Sequence, residues 1–357
     1  MKAVLLAGGY GKRLEPLTLS TPKCLLPVAC KPNLAYVLEL LEGVPGITEV
    51  VLSTNEVQAG MLRAALKEMS QDKVKVVVEK TTSNENKLGA VKAIKYVFDE
   101  VGYDDAVIIG SDNFIHGLDL KDVVGKFRKE KASAAIILHE LEDERLVEKL
   151  GIAVLDSKNN VSFFQEKPKL SEAKSRLAST AIYCVSKRFL DGALGKYIAE
   201  KESSGEKPDN LGDLWAHSLK TEKILGIVFT GVWGDIGDVN SYLAINRWAL
   251  DHLRKSQALV EENATVSGNA SLGPFAVVSS GARIRDNAVV SNTLVFKGAE
   301  VGEGAQVEGS VLDYNAKIGE NAVIENGCIV GKNAVVGRNA RLPSNSKLWP
   351  NTSYGLS

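Results

Sequence analysis

The chain has 357 residues, of which 45% are apolar and 24% charged, and its formal net charge is −1 at pH 7. This length favours two domains, each with its own core, and the balanced charge gives no reason to expect a nucleic-acid or membrane partner. The four cysteines are far apart and include no CxxC pair, so neither a zinc site nor a disulfide framework is expected. The apolar run at residues 3–7 is too short for a signal peptide, and no segment approaches membrane-spanning length, which favours a cytoplasmic protein.

Up to about residue 250, short apolar runs alternate with amphipathic stretches. The runs KAVLLA, EVVLST, KVKVVVE and AVIIG predict buried strands, whereas NLAYVLELLEGV, MLRAALKEM and AVKAIKYVFDEV predict helices. This alternation indicates βαβ units and therefore an α/β fold with a Rossmann-like, mostly parallel sheet and flanking helices. Ligands of such sheets bind beyond the carboxyl ends of the strands, which is where Gly8, Ser111 and Asp112 fall.

A different pattern begins at residue 259. A large aliphatic residue recurs every six positions from Val260 to Leu342, with two five-residue steps, and a small residue follows most of them four positions later. This period predicts a solenoid of about five triangular coils, with Gly and Asn at the corners. The sequence thus predicts a first domain at 1–250, a repeat domain at 259–345, and a tail at 346–357 that covers the open end of the last coil.

The stretch LLAGGYGKRLEPLTLSTPKCLLP, at residues 5–27, places three glycines directly after the first predicted strand. A dinucleotide fingerprint would need glycine where Leu14 stands, and a P-loop would need glycine in place of Leu6 and serine or threonine in place of Arg13. The glycines alone suit a tight turn as well as a phosphate loop. Arg13 and Lys23 favour an anion, because a guanidinium and an ammonium near backbone N–H groups suit a polyphosphate.

This stretch resembles the signature GGxGxRLxPLT…PK of the sugar-1-phosphate nucleotidylyltransferases, also called nucleotide-diphosphate-sugar pyrophosphorylases. The resemblance continues through residue 246 at KLGAVKAI, IIGSDN, KLGIAVLDSKNNVSFFQEKP, LASTAIY and VWGDIGDVNSYLAIN. The six-residue repeat resembles the left-handed parallel β-helix that many members carry after the catalytic domain. The resemblance implies an enzyme that takes a nucleoside triphosphate and a sugar-1-phosphate as substrates and uses Mg²⁺.

The resemblance also implies roles for individual residues. Its nucleotide site comprises Leu6, Ala7, Gly8, Gly9, Gly11, Arg13, Lys23, Gly89, Lys92 and Asp112. Asp112 and Asp235 would together hold Mg²⁺, since two carboxylates and phosphate oxygens suit a hard octahedral cation; each could instead be a turn residue. The catalytic set is Arg13, Lys23, Asp112, Lys167 and Asp235. Asp238 is predicted to cap the helix that follows it.

The implied sugar-phosphate site comprises Gly151, Glu166, Lys167 and Thr180. Lys167 would contact the sugar phosphate and Glu166 the sugar hydroxyls. The tripeptide Glu166-Lys167-Pro168 could instead be a surface turn. The chain departs from the family where Ala181 replaces a usual glycine, and the extra methyl would narrow the sugar pocket or change its preference.

A second departure is Lys92, where relatives often carry glycine, glutamine or histidine. If Lys92 reaches the base, its N–H donors favour a keto oxygen and hence uracil, thymine or guanine; alternatively it lies on an exposed helix face with Lys95.

Three functions follow as hypotheses. The first is an active nucleotidylyltransferase, using glucose-1-phosphate with dTTP or UTP as the first choice and mannose-1-phosphate with GTP as the next. The second is a non-catalytic relative that binds nucleotide sugars and regulates. The third adds acyl transfer by the repeat domain, which is disfavoured because all four histidines precede the repeat. The repeat domain is therefore expected to be structural, providing subunit contacts in a homo-oligomer or an effector surface.

Overall fold

A computed structural model describes residues 1–356 of the chain. The chain forms two compact units. The first unit comprises Met1–Gly9 and Leu34–Trp233, whereas Tyr10–Asn33 joins the chain from Gly234 onward in the second. Tyr10–Asn33, hereafter the signature segment, therefore packs with the repeat domain although it lies near the start of the chain.

The first unit contains a nine-stranded mixed sheet. Four neighbouring strands are parallel and form one part of it, in the order Lys75–Glu79, Glu49–Asn55, Lys2–Leu6 and Ala106–Gly110. The remaining part contains mostly antiparallel pairs around the long strand Leu177–Val185, formed with Ala134–Glu140, Gly151–Leu155, Val161–Glu166 and Ile224–Val228. A further strand of the unit is Asn113–His116.

Amphipathic helices accompany this sheet, and the predicted α/β class is confirmed. In Ala90–Val101, Val91, Ile94 and Val97 recur on one face and are buried in the core, as the three-to-four-residue spacing requires. The other helices are Asn33–Leu41, Glu56–Glu68, Leu120–Glu130, Leu194–Ser203 and Leu211–Ser218, with short helices of other types at Glu144–Lys149, Leu170–Glu172 and Phe189–Ala193.

The second unit begins with the short elements of the signature segment. These are Lys12–Leu14, Leu17–Ser20, Lys23–Leu25 and a two-stranded hairpin of Pro27–Val28 with Lys31–Pro32. The strand Val232–Asp235 leads into this unit, followed by the helix Val239–Ala249 and the turn Leu250–Arg254. Among the described residues 1–356, no helix combines the length and apolar character needed to cross a bilayer.

The repeat forms three parallel sheets, in agreement with the predicted left-handed β-helix. Each strand pairs with the strand one coil later. The first face consists of Ala258–Val260, Ala276–Val278, Leu294–Val295, Val311–Leu312, Ile329–Val330 and Lys347–Leu348. The second consists of Thr265–Val266, Arg283–Ile284, Glu300–Val301, Lys317–Ile318, Val335–Val336 and Ser353–Tyr354. The third consists of Ser271–Leu272, Val289–Ser291, Gln306–Glu308, Val323–Ile324 and Arg341–Leu342.

The periodic aliphatic residues fill the interior of the β-helix, and left-handed asparagines form many of its corners. Asn315, Asn333 and Asn351 have φ values of 56° to 58° and stack one above another, with side-chain hydrogen bonds of 3.2 and 3.0 Å. Asparagine suits these corners because its short polar side chain lowers the cost of the left-handed conformation.

The predicted tail at 346–357 is wrong as a separate cover for the last coil. Lys347–Leu348 pairs with Ile329–Val330, and Ser353–Tyr354 pairs with Val335–Val336, so the coils continue through residue 354. The six-residue period in fact persists from Leu342 to Leu348 and Tyr354, although the last position carries an aromatic residue.

Candidate active site

The first two glycines of the signature lie at the carboxyl end of the first strand, in the first unit. Side chains from the neighbouring strand and helix bind their carbonyl groups: Asn55 Nδ2 donates to Gly8 O at 3.1 Å, and Gln58 Nε2 donates to Gly9 O at 3.2 Å. Asn55 also caps the following helix by accepting a hydrogen bond from Gln58 N. Fixed carbonyls orient the rest of this loop, which begins at the buried Ala7.

A buried carboxylate that the sequence analysis missed lies against this loop. A Cβ at Gly8 would lie 3.0 Å from Glu79 Oε1, so a side chain here would meet the carboxylate. Glu79 is 4% exposed and accepts a hydrogen bond from Ser53 Oγ at 2.8 Å. Burial raises the pKa of Glu79, which is only partly offset by the Ser53 hydrogen bond. The available signal was a charged residue at the carboxyl end of the run KVKVVVE.

Asp112 lies at the same edge of the sheet as the glycines, as predicted. Ser111 Oγ donates to Leu6 O at 2.7 Å, which joins the ends of the first strand and of the strand that precedes Asp112. Asn113 Nδ2 lies 3.3 Å from Asp112 Oδ1, and Trp233 Nε1 donates to Asn113 Oδ1 at 3.0 Å. These contacts set the amide orientation of Asn113 beside the half-buried Asp112 carboxylate.

The third glycine begins the turn that carries Arg13, in the second unit. Gly11 has φ +62°, and a Cβ there would lie 2.7 Å from Thr18 Cγ2. Thr18 Oγ1 donates to Gly11 O at 3.0 Å. A glycine is therefore required both by the left-handed backbone and by the close approach of Thr18.

Two cations of the signature segment, Lys23 and Arg13, contact the same carboxylate. Lys23 Nζ lies 2.8 Å from Asp235 Oδ1, and Arg13 Nη2 lies 3.4 Å from Asp235 Oδ2. The Arg13 side chain is 62% exposed and that of Lys23 only 11% exposed, so the two cations differ in their access to solvent. Asp238 caps the next helix by accepting from Ser241 N, as predicted.

Three of the predicted sugar-site residues come together in the first unit. Glu166 pairs with Gly151 across antiparallel strands, and a Cβ at Gly151 would lie 2.7 Å from Phe164 Cζ and 3.1 Å from Glu166 Oε2. Lys167 has φ +48°, and its Nζ lies 3.4 Å from Glu166 Oε1. A carboxylate and an exposed ammonium are thus adjacent at the end of a strand.

Thr180 differs from the expected sugar contact. Its side chain is fully buried, and Oγ1 donates to Ile137 O at 2.9 Å, so its hydroxyl faces the neighbouring strand. Ala181, next in the chain, has φ +57° where the pairing register shifts between Ser179 and Tyr183. A glycine would adopt this conformation without strain, which gives a physical reason for the glycine that is usual in the family at this position.

Gly89 and Lys92, which were predicted to contact the nucleotide, lie at the start of the helix Ala90–Val101 and contact other residues of the protein. Gly89 has φ +77°, and a Cβ there would lie 2.9 Å from Asp209 Cα, so the glycine permits close packing of these two chain segments. Lys92 Nζ lies 2.6 Å from Glu202 Oε1 on a neighbouring helix, and Lys95 Nζ lies 2.6 Å from Asp99 Oδ1. These contacts favour the exposed-face alternative for Lys92.

Comparison with known proteins assigns both parts of the chain to families. Residues 2–252 match the nucleotidyl transferase family, and residues 255–353 match the family described as the GMPPB C-terminal domain. The chain is 32% identical to glucose-1-phosphate thymidylyltransferase of Streptomyces antibioticus, over 80% of this chain and 74% of that protein. It is 29% identical to mannose-1-phosphate guanylyltransferase 1 of Arabidopsis thaliana, over 79% of this chain and 77% of that protein.

The matched regions span 61% to 80% of the lengths of the curated relatives. Among solved structures, a UDP-glucose pyrophosphorylase complexed with UDP-glucose superimposes with a TM-score of 0.59. That match covers 70% of this chain and 98% of the other, at 20% identity, and therefore bears on the fold alone.

Proposed function

Because the chain belongs to the nucleotidyl transferase family, whose matched members are named as sugar-1-phosphate nucleotidylyltransferases, we propose that it condenses a nucleoside triphosphate with a sugar-1-phosphate. The products are a nucleotide-diphosphate-sugar and pyrophosphate. The observation that carries this proposal is the convergence of Arg13 and Lys23 on Asp235 within the signature motif. The Arg13 side chain is 62% exposed, so its guanidinium is accessible to phosphate oxygens.

The reaction requires little proton transfer. A phosphate oxygen of the sugar-1-phosphate attacks the α-phosphorus of the triphosphate, and pyrophosphate leaves from the opposite side. The attacking phosphate has a second pKa of about 6 and is largely a dianion at neutral pH, so no general base is needed. In this proposal Arg13 and Lys23 bind the triphosphate, Lys167 binds the sugar phosphate and Glu166 accepts hydrogen bonds from sugar hydroxyls. Their task is to hold two anions together and stabilise the departing charge.

We propose that Asp112 and Asp235 hold a divalent cation, Mg²⁺. No group of three or more metal-binding side chains occurs in residues 1–356, so a protein-only metal cage is not expected there. Mg²⁺ is commonly bound by one or two carboxylates together with substrate phosphates, which fits a two-aspartate set. When bound, the ion would neutralise charge on the transferring phosphates.

The test is a substrate panel. The purified protein is incubated with each of the common nucleoside triphosphates, each sugar-1-phosphate and MgCl₂, and pyrophosphate release is followed. We expect release that depends on both substrates and stops when EDTA is added. Binding of nucleotide sugar without any turnover would favour the non-catalytic alternative. An acetyl-CoA assay in parallel tests acyl transfer by the β-helix.

One observation favours a guanine nucleotide over the thymine or uracil nucleotides that the sequence analysis put first. Glu79 is buried beside Gly8, and a carboxyl group there can pair with the adjacent N1–H and N2–H groups of guanine, whereas thymine and uracil offer one ring N–H. Lys92, the residue previously considered for a keto oxygen, is paired with Glu202.

Glu79→Gln tests this base assignment, because the amide keeps one acceptor but presents an N–H₂ where guanine presents its own donors. If guanine is the base, the variant loses one charged hydrogen bond to it. We therefore expect the KM for GTP to rise by about tenfold, while the KM for the sugar phosphate stays constant. Glu68→Gln, at the end of the helix Glu56–Glu68, is the matched control. Higher kcat/KM with dTTP or UTP than with GTP in the wild type would contradict the assignment.

A further inference from the structure

The face of the β-helix formed by its first sheet contacts the signature segment at a series of coils. Successive strands of this face, Val311–Leu312, Ile329–Val330 and Lys347–Leu348, pair in parallel. Asp313, which follows the strand Val311–Leu312, and Lys347, which begins the strand Lys347–Leu348, both bind the signature segment. These contacts lie inside the second unit, which explains why Tyr10–Asn33 belongs with the repeat.

The first contact is made with the turn that carries Arg13. Lys347 Nζ donates to Arg13 O at 2.9 Å. Arg13 lies in the single helical turn Lys12–Leu14, so the orientation of its peptide group determines where its side chain leaves the backbone. An ammonium bound to that carbonyl restricts this turn from the β-helix side.

The second contact is partly buried. Ser20 Oγ lies 3.0 Å from Asp313 Oδ2 and 3.1 Å from Leu17 O, and its single proton can serve either acceptor. Asp313 is fully buried, and its Oδ1 accepts from Tyr314 N at 2.8 Å. A buried carboxylate needs such partners, so the Ser20 contact holds the middle of the signature segment, between Arg13 and Lys23, against the β-helix.

From these contacts we infer that the β-helix positions the triphosphate-binding cations of the catalytic site, with Lys347 and Asp313 as positioning residues. The inference rests on the proposed function, since it concerns the role of Arg13 toward a triphosphate. Neither residue is proposed to touch the substrate. Lys347 holds the Arg13 turn, Asp313 holds Ser20, and the β-helix is thereby a working part of the nucleotide site as well as a structural domain.

Lys347→Met tests the inference, because it removes the donor and keeps most of the unbranched side chain. We expect the KM for the nucleoside triphosphate to rise by about fivefold, as for loss of one charged hydrogen bond that orients a binding residue. The KM for the sugar phosphate should stay within about twofold of the wild-type value, because Lys167 lies in the first unit. Lys347→Arg keeps a cationic donor and should restore most of the affinity.

Lys317→Met is the matched control. Lys317 is also exposed and also begins a two-residue strand, Lys317–Ile318, on another face of the β-helix. We expect this variant to have the wild-type KM for both substrates and the wild-type melting temperature. Ser20→Ala provides a second variant, on the signature side of the contact with Asp313, and should raise the KM for the triphosphate by about two- to threefold.

The results separate the two proposals. Unchanged KM for the triphosphate in both Lys347→Met and Ser20→Ala, or equal changes for both substrates together with a lowered melting temperature, would overturn the positioning role. If the wild type releases no pyrophosphate with any substrate pair, the proposed function fails. Calorimetric titration with the triphosphates then measures binding directly: weaker binding by Lys347→Met supports the positioning role, whereas equal or absent binding overturns it.

Discussion

The glycine loop at residues 7–9 and the cationic turn at Lys12–Leu14 are neighbours in one motif, yet different parts of the protein hold them. The carbonyls of Gly8 and Gly9 accept hydrogen bonds from residues 55 and 58, on the next strand and helix of the same sheet. The carbonyl of Arg13 accepts from Lys347, 334 positions later in the sequence. A contiguous signature can therefore depend on two separate sets of contacts, one in each compact unit.

Asp235→Asn should cause the largest effect. It changes the carboxylate that pairs with Arg13 and Lys23, in the second unit. The amide would remove the charge that pairs with Lys23 and Arg13 and that we propose for Mg²⁺ binding. We expect kcat to fall by about a thousandfold or more with the fold retained, as judged by circular dichroism and melting temperature. Asp112→Asn should behave alike, although it lies in the other unit.

Asp122→Asn is the matched control for both aspartate variants. Asp122 pairs with Lys126 on an exposed helix face, at 2.7 Å, so its loss should leave kcat unchanged. Near-wild-type turnover in either Asp112→Asn or Asp235→Asn would refute the shared metal assignment.

Asp313→Asn should have the next largest effect, and it is measured as stability against pH. Burial raises the pKa of Asp313 from 3.8 to about 6, despite the lowering effect of the Tyr314 backbone, Ser20 and Lys332. The folded state therefore binds this proton more tightly than the unfolded state, and this group makes the free energy of unfolding decrease as the pH rises from about 4 to about 6. The decrease attributable to Asp313 is about 3 kcal/mol.

An asparagine at position 313 does not titrate, so the variant should lack this decrease. Denaturant unfolding at pH 4 and pH 7 measures it, as the wild-type change minus the variant change. Asp122→Asn, which alters an exposed aspartate, should reproduce the wild-type dependence. Parallel pH curves for the wild type and Asp313→Asn would show that Asp313 does not anchor the signature segment as a buried titrating group.

Substitutions of Gly8 and Gly9 test the part of the signature that is held by the sheet of the first unit. A Cβ at Gly8 would lie 3.0 Å from the Glu79 carboxylate, whereas a Cβ at Gly9 would meet nothing within 4 Å. Gly8→Ala should lower the free energy of unfolding by about 1–2 kcal/mol, because Glu79 is buried and cannot move freely. Gly9→Ala should leave stability nearly unchanged and weaken triphosphate binding, since its added methyl points into open space where we propose the phosphates approach. Equal stability of the two variants would contradict this interpretation.

Ala181→Gly should give the smallest effect. Ala181 has φ +57°, and glycine removes the strain of that conformation while adding backbone freedom to the unfolded chain. The net gain in the free energy of unfolding should be about 0.5 kcal/mol, measured by denaturant titration. Ala178→Gly, at a buried position of the same strand, should instead lower stability. A lower stability of Ala181→Gly would show that the methyl contributes packing rather than strain.

Several parts of the fold could be predicted because their cause is local. The helix Ala90–Val101 has the bounds that its apolar spacing predicts, and Asp238 caps its helix through a serine three residues away. The left-handed β-helix follows from a six-residue period. The end of the β-helix was misplaced, because Leu348 and Tyr354 continue that period beyond the predicted boundary at residue 345.

The site was predicted less completely, because residue type does not reveal which partner a side chain meets. Glu79 was missed since a charged residue at the end of a strand is ordinary until its burial is known. Thr180 was expected to contact sugar, but its hydroxyl donates to Ile137 O, at the point where the strand register shifts between Ser179 and Tyr183. Lys92 has a partner, Glu202, on a helix more than a hundred positions later.

The amino-acid sequence by itself determined the alternation of strands and helices, the period of the β-helix and the positions of the signature glycines and cations, because these depend on near neighbours and on backbone freedom. Only the tertiary structure decided that the signature is divided between two compact units and that Lys347 and Asp313 hold its second part. The reason is that a hydrogen bond or ion pair depends on which distant segments the folded chain brings within a few ångströms, and the local pattern of residues carries no record of that distance.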